Sequence, residues 1–168
     1  MAGRTLRYID PRRRRSVVYR LYAALLGTRL LGWVSRWVVW KLDPLLLSLT
    51  RGRLGMGMGL PTALLETRGA RSGERRRNAV IYFHDRERVI IVASKLGLPT
   101  HPAWLHNLRA YPDVALGGQP FTAQVVEDEA ERRRLWMLAD RIFPPYAAYR
   151  ARADRVGRAI PIVQLTPR

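Results

Sequence analysis

The sequence predicts an α+β fold. A closed or split β-barrel of about six mainly antiparallel strands carries flanking helices and is preceded by an apolar, basic helical segment. Three observations point to it. Six short apolar runs of strand length recur between Leu64 and Thr166, several joined by turn residues at hairpin spacing. One of them, Val89-Ile90-Ile91-Val92, is β-branched and uncharged, as a strand covered on both faces should be. Helix signals are few, and hairpins with one crossing helix suit a barrel better than a parallel sheet.

At 168 residues the chain can build a real core, and one compact domain is expected behind an N-terminal extension. The division falls at residue 53: a basic arm and amphipathic helical segment over 1–53, the barrel over 54–168. Residues 4–20 hold the run Arg12-Arg13-Arg14-Arg15 and lack a small-residue cleavage site, so they read as a mobile, solvated arm and not a signal peptide. Residues 17–49 are strongly apolar, but Arg20, Arg29, Arg36 and Lys41 keep any uncharged run below the roughly 18 residues of a spanning helix. On a helical wheel Trp33, Trp37 and Trp40 fall within about 60°. That stripe, with arginines beside it, suits a bilayer interface. It equally suits a helix packed on the barrel, and the residues leave both open. Asp43-Pro44 breaks the helix, and the glycine-rich residues 52–59 form a link.

Strands are then expected at 64–65, 79–82 and 89–93. Gly69-Ala70-Arg71-Ser72-Gly73 turns between the first two, and Asp85-Arg86-Glu87 turns into the third. Thr100 is a candidate N-cap for a helix over about 101–110, with Pro102 in its first turn. A hairpin follows over 113–116 and 120–126. Asp128 and Glu131 have capping-box spacing for a helix to about Asp140. Phe143-Pro144-Pro145-Tyr146 is a rigid aromatic loop before a short helix to Arg152, and residues 160–166 are the closing strand.

Charge narrows the function. The formal net charge is +17, with 28 arginines and two lysines. Such an excess predicts an anionic partner: nucleic acid, anionic lipid or a polyanionic cofactor. The aromatics are not interleaved with the basic run and no nucleic-acid-reading motif occurs, so nucleic acid ranks last. Cysteine is absent, which excludes disulfides and thiolate metal sites. His101 and His106 flank Trp104 with no third ligand close in sequence, and no metal site is assigned.

The chemistry concentrates between Thr62 and Asn107. Lys95 follows a buried strand directly, Gly97 supplies turn freedom, a helix N-terminus comes next, and Arg71, Arg75, Arg76 and Arg77 lie on the neighbouring hairpin. Fixed cations, backbone N–H groups and a helix start suit a phosphate-bearing ligand. Arg75 and Arg77 suit a solvated face as well, and Trp104 suits the core as well as a cofactor platform.

The ordered series G-A-R-S-G-E-R-R, then V-A-S-K-x-G-x-P-x-H-P-A-W-x-x-N-L, closely resembles the deazaflavin (F420)-dependent nitroreductase family. F-P-P-Y-A-A-Y and I-P-I-V-Q-L resemble its C-terminal part. The resemblance covers roughly residues 60–167. It implies a split β-barrel holding F420 in an open groove and an enzyme that passes hydride to a quinone, enone or nitroaromatic acceptor. Carried onto this chain, it puts Arg71, Ser72, Arg76 and Asn78 at the cofactor's phosphate and acidic tail or at its near end. Ser94, Lys95, Gly97, Ala103, Trp104 and Asn107 line the rest. Tyr146 and Tyr149 lie over the acceptor, and Ser94, a tyrosine hydroxyl or water stands open as proton donor. Ala79, Ile81, Leu96 and Phe143 depart from residues common in the family.

Two other classes remain: a flavin (FMN) enzyme on the same barrel, and a non-catalytic protein binding F420 or anionic lipid. The Arg-rich hairpin favours the longer, more acidic F420 tail over FMN. The expected partners are a small apolar or conjugated acceptor and an anionic membrane surface met by residues 1–50. The expected location is cytoplasmic, peripheral on the inner face of the cell membrane. Monomer and homodimer both stay open.

Overall fold

The computed structural model describes residues 6–13 and 60–168. Six strands form the barrel: β1 (Thr62–Arg68), β2 (Arg75–Asp85), β3 (Arg88–Val92), β4 (Asp113–Leu116), β5 (Gln119–Val125) and β6 (Ile162–Pro167). Around it the order is β1-β2-β3-β6-β5-β4, and β4 returns to β1 through Leu65 opposite Leu116 and Glu66 opposite Ala115. Every neighbouring pair is antiparallel. Closure leaves no unpaired edge, which answers the expectation from hairpin spacing. Leu65, Ile90, Leu116 and Leu165 are fully buried, each contributing about 1.5–3 kcal/mol. In β3, Val89 to Val92 are all buried, so both faces of that strand are covered.

Three α-helices sit on this barrel among the described residues. Helix α1 (Ala103–Ala110) lies in the β3–β4 connection, and α2 (Glu129–Ile142) and α3 (Tyr146–Asp154) lie between β5 and β6. Helix α2 starts as its sequence predicts: Asp128 accepts the Glu131 N–H at 2.7 Å. The reciprocal half of the capping box is not made. Instead the Glu131 carboxylate accepts from Arg88 Nη2 (2.8 Å) and Arg134 Nε (2.7 Å). Asp85, fully buried, joins the same network through Arg88 Nη2 (2.8 Å) and Arg134 Nη2 (2.5 Å). This residue, expected as part of the turn, is the last of β2 and ties the β2–β3 hairpin to α2.

Two expectations are corrected. Thr100 does not cap α1: the helix starts after Pro102, whose own side chain offers no cap. The residue before a proline is kept out of the helical region, so His101 cannot join the helix, and Thr100 is too far upstream. The solvated arm is also only partly so. Ile9 is buried, its N–H donates to His84 Nδ1 (3.1 Å), and its carbonyl accepts the His84 N–H (2.9 Å). The Tyr82 hydroxyl donates to the Arg7 carbonyl (3.0 Å). One apolar residue of this basic arm docks beside β2, a contact that composition does not reveal. The apolar segment 17–49, the link 52–59 and the division at residue 53 lie outside the described residues.

Candidate functional site

Two pieces of chain carry the predicted residues, one held by helix α1 and one by helix α3. The first is the β1–β2 hairpin. Its turn closes through Gly69 N–H to the Glu74 carbonyl and Gly73 N–H to the Gly69 carbonyl, each 2.8 Å. Gly73 takes φ 70°, where a side chain would be strained. Asn107 of α1 clamps this hairpin: its buried amide accepts the Ala70 N–H and donates to Thr67 Oγ1, both at 3.0 Å. Arg71 and Ser72 are thereby fixed next to the helix. Arg76 pairs with Glu74 (2.7 Å), and Arg75 and Arg77 share Glu66 at 3.4 Å each. Arg71 has no ion-pair partner among the described residues. These exposed pairs are worth little, and an incoming anion can displace them. Asn78 is half-buried at the base of the hairpin.

The second piece leaves β3. Lys95, Leu96 and Gly97 take φ 44°, 57° and 73°. For the two non-glycine residues that conformation costs roughly 1–2 kcal/mol each, and such strain clusters at functional sites. Opposing bonds hold it. Lys95 Nζ donates to Thr100 Oγ1 (2.7 Å) and the His101 carbonyl (3.3 Å). Arg152 of α3 donates to the Leu96 carbonyl (2.7 Å). Buried Arg158 donates to the carbonyls of Ala93 (2.6 Å), Ser94 (3.1 Å) and Leu98, and to His101 Nδ1 (3.2 Å). Gly97 packs directly on the Tyr149 backbone. Burial first, then the charges of Arg158, Arg109 and other neighbouring cations, hold His101 below the usual histidine range. The ring is therefore neutral at pH 7, and accepting the Arg158 proton at Nδ1 puts its own proton on Nε2.

The structure thus packs the 95–97 turn on α3, and clamps the hairpin that carries Arg71 and Ser72 to Asn107 of α1. It separates other predicted residues by burial. Trp104 packs in the core, whereas Ala103 is exposed on the helix's first turn. Tyr146 and Tyr149 are buried in an aromatic cluster with Phe143 and Trp136, ring centroids 5.1–6.2 Å apart. Burial pushes the Tyr149 hydroxyl up to about 12, so it stays protonated at neutral pH. Sequence reasoning missed Arg152 and Arg158, which carry no motif in a chain so rich in arginine. A cavity of about 460 Å³ opens beside His101, Arg109, Arg132, Arg158, Val126 and Ile160, and none of the residues predicted for the site lines it.

The model of the F420H(2)-dependent quinone reductase family matches residues 47–167. An F420H(2)-dependent quinone reductase of Mycobacterium tuberculosis is 35% identical over 150 residues, spanning 80% of this chain and 99% of that protein. The solved structure of an F420-H2 dependent reductase is 36% identical with a TM-score of 0.55, covering 62% of this chain and 93% of the other. A second, described as a domain-swapped dimer, is 32% identical with a TM-score of 0.56, covering 70% and 91%. A match of this extent, on a barrel whose β1–β2 hairpin is clamped to α1 and whose 94–97 turn packs on α3, settles the kinship: the chain belongs to the F420H(2)-dependent quinone reductase family.

Proposed function

We propose that this protein is an F420-dependent oxidoreductase that passes a hydride from reduced F420 to a quinone, with conjugated enones and nitroaromatics as further acceptors. The observation that carries the reading is the family match over residues 47–167, which includes both the hairpin and the 94–97 turn. The residues present fit a polyanionic cofactor: Arg71 has no ion-pair partner among the described residues, and the other hairpin arginines hold only exposed carboxylate pairs. F420, when bound and reduced, supplies the hydride.

In this reading Arg71, Ser72 and Arg76, with Asn78 below them, take the phosphate and acidic tail. Ser94, Lys95, Gly97 and Ala103 border the rest. Asn107 and Trp104 serve from behind, the first by fixing the hairpin and the second as packed floor. Tyr146 and Tyr149 form the acceptor side, and a protonated Tyr149 or Ser94 hydroxyl is a proton source at neutral pH. Fluorescence titration with F420 and with FMN tests this, followed by stopped-flow oxidation of reduced F420 by a soluble naphthoquinone. Binding of F420 with quinone-dependent turnover is expected. Tight FMN binding without F420 binding makes it a flavin enzyme, and F420 binding without turnover on any acceptor makes it a carrier.

Lys95→Ala is expected to weaken F420 binding without unfolding the barrel. A charge-assisted bond to phosphate or carboxylate is worth about 1.5–3 kcal/mol, or roughly ten- to 150-fold in Kd. Unchanged affinity would confine Lys95 to its bonds with Thr100 and His101.

The proposal extends to location: a cytoplasmic enzyme, peripheral on the inner face of the cell membrane through residues 1–50. No helix among the described residues is long and apolar enough to cross a membrane. The support is the Trp33, Trp37 and Trp40 stripe and the basic run beside it, at about 1 kcal/mol per basic residue near anionic lipid. Pelleting with anionic vesicles, weakened by salt and lost on deleting residues 1–50, is the expected result. A full-length protein that stays in the supernatant at low salt rules attachment out. Vesicle binding and the oligomeric state, monomer or homodimer, are both read from the same preparation by sedimentation.

A further inference from the structure

We propose that Arg158, seconded by Arg152, is the positioning residue that shapes the 94–97 turn into a cradle for an anionic or carbonyl oxygen. The inference rests on the reading of that turn as part of the F420 site. Arg158 is 6% exposed, and its donors go to the carbonyls of Ala93, Ser94 and Leu98 and to His101 Nδ1. A guanidinium offers five N–H donors in a fixed fork. Here every hydrogen bond it makes goes to one loop, from the end of β3 to the approach to α1.

The consequence follows from peptide geometry. In a trans peptide the carbonyl of one residue and the N–H of the next point opposite ways. Drawing the Ala93 and Ser94 carbonyls toward Arg158 therefore turns the Ser94 and Lys95 N–H groups away from it. Neither N–H has a hydrogen-bond acceptor among the described residues. Ser94 is right-handed helical (φ −69°, ψ −44°), and Lys95 has φ 44°. A right-handed residue followed by a left-handed one makes successive amides converge on a common point, the backbone arrangement that receives an anion. Arg152 holds the next carbonyl, that of Leu96, at 2.7 Å and keeps this non-glycine residue at φ 57°. The two arginines thus work from behind the loop, and the face turned away from them presents the amides.

The experiment uses the full chain with F420 as probe, and reads fluorescence titration and amide hydrogen exchange together. Arg158→Lys keeps a cation but cannot span four acceptors. It is expected to fold, to bind F420 about ten- to 100-fold more weakly, and to exchange faster at residues 94–98 but not in the barrel strands. Arg152→Ala removes one bond and is expected to weaken binding by about three- to tenfold. Added methylguanidinium should restore affinity to Arg158→Ala and not to Lys95→Ala, a rescue that general destabilisation would not show. A folded Arg158→Lys with wild-type affinity and wild-type exchange overturns the inference. If the Arg158 variants fail to fold, Arg152→Ala decides: faster exchange at 96–98 with weaker F420 binding supports the brace, and no change in either overturns it. A wild-type protein that binds no F420 overturns the functional reading instead, and the exchange measurement then judges the brace alone.

Discussion

Asp85→Ala is expected to lower the stability of the barrel by about 3 kcal/mol, read as a fall in Tm of roughly 6–12 °C for a chain of this size. Asp85 is fully buried, and it accepts from both Arg88 and Arg134. Removing one partner of a buried ion network costs about 3–5 kcal/mol, because the charge left behind is uncompensated. The low end applies here: the two guanidinium groups keep 30% and 35% exposure and keep Glu131. The same network sets an acid limit. Hydrogen bonds from Arg134, ahead of those from Arg88, hold Glu131 at about 2 against an ordinary 4.5, and Asp85 is likewise held below its usual range. These carboxylates have lower pKa values folded than unfolded, so their stabilisation is fully present above about pH 4.5. It is lost as pH falls toward 2. Thermal melts between pH 2 and 6 should show a steep acid decline in the wild type and a shallower one in Asp85→Ala. Equal Tm values for the two proteins at pH 7 would show that the network contributes nothing net.

Gly97→Ala is expected to disable cofactor binding while sparing the barrel. The position has φ 73°, and a Cβ there would press into the Tyr149 carbonyl oxygen and come within 3.1 Å of Arg152 Cβ. The left-handed conformation costs an alanine about 1–2 kcal/mol, and overpacking adds about 1–3 kcal/mol more. The obstacle is helix backbone, so no rotamer change relieves it. The strain is relieved only by moving the 94–97 turn off α3, which breaks the Arg152 bond to Leu96 and shifts Ser94 and Lys95. Loss of F420 affinity by two orders of magnitude or so follows from about 3 kcal/mol. Near-ultraviolet circular dichroism and F420 titration of the same sample separate a displaced turn from a lost fold. Wild-type affinity in Gly97→Ala would show that the turn is not part of the site.

How much of this was legible in the sequence depends on the range of the signal. The strands were legible because hairpin turns and β-branched runs are local: Gly69 to Gly73 and Val89 to Val92 need only their neighbours. The start of α2 was legible for the same reason, since Asp128 reaches only three residues on. Asp85 was not, because a carboxylate beside Arg86 and Glu87 looks like any solvated turn until Arg134, 49 residues on, is folded against it. Arg158 was illegible in a stronger sense. Its acceptors are mostly carbonyls some 60 residues upstream, and a carbonyl has no residue type to leave a trace. Thr100 was misplaced because Pro102 keeps His101 out of the helical region, which outweighs a hydroxyl's capping preference. Ser72 and Asn107 were assigned through the family resemblance, and Arg71 and Lys95 by their charge and place in the chain as well as by that resemblance. The structure adds that Asn107 spends its amide on the hairpin and Lys95 its ammonium on Thr100.

The docked residues Leu6–Arg13 have a consequence for the chain as a covalent object. Ile9 bonds to His84, and Pro61 bonds to Tyr82, two residues away on the same strand. Ile9 and Pro61, far apart in sequence, are therefore held at neighbouring positions of one strand. Buried Ile9 and three hydrogen bonds contribute about 3–7 kcal/mol to this docking, with Leu6 packed on the core and Arg12 paired with Asp85 (3.7 Å) beside them. Free association of two separate molecules costs about 4–15 kcal/mol, so this hold suffices only while the peptide is tethered. A separate peptide of residues 6–13 would on these numbers leave the barrel and expose the β2 backbone at His84, with no bond inside the barrel touched.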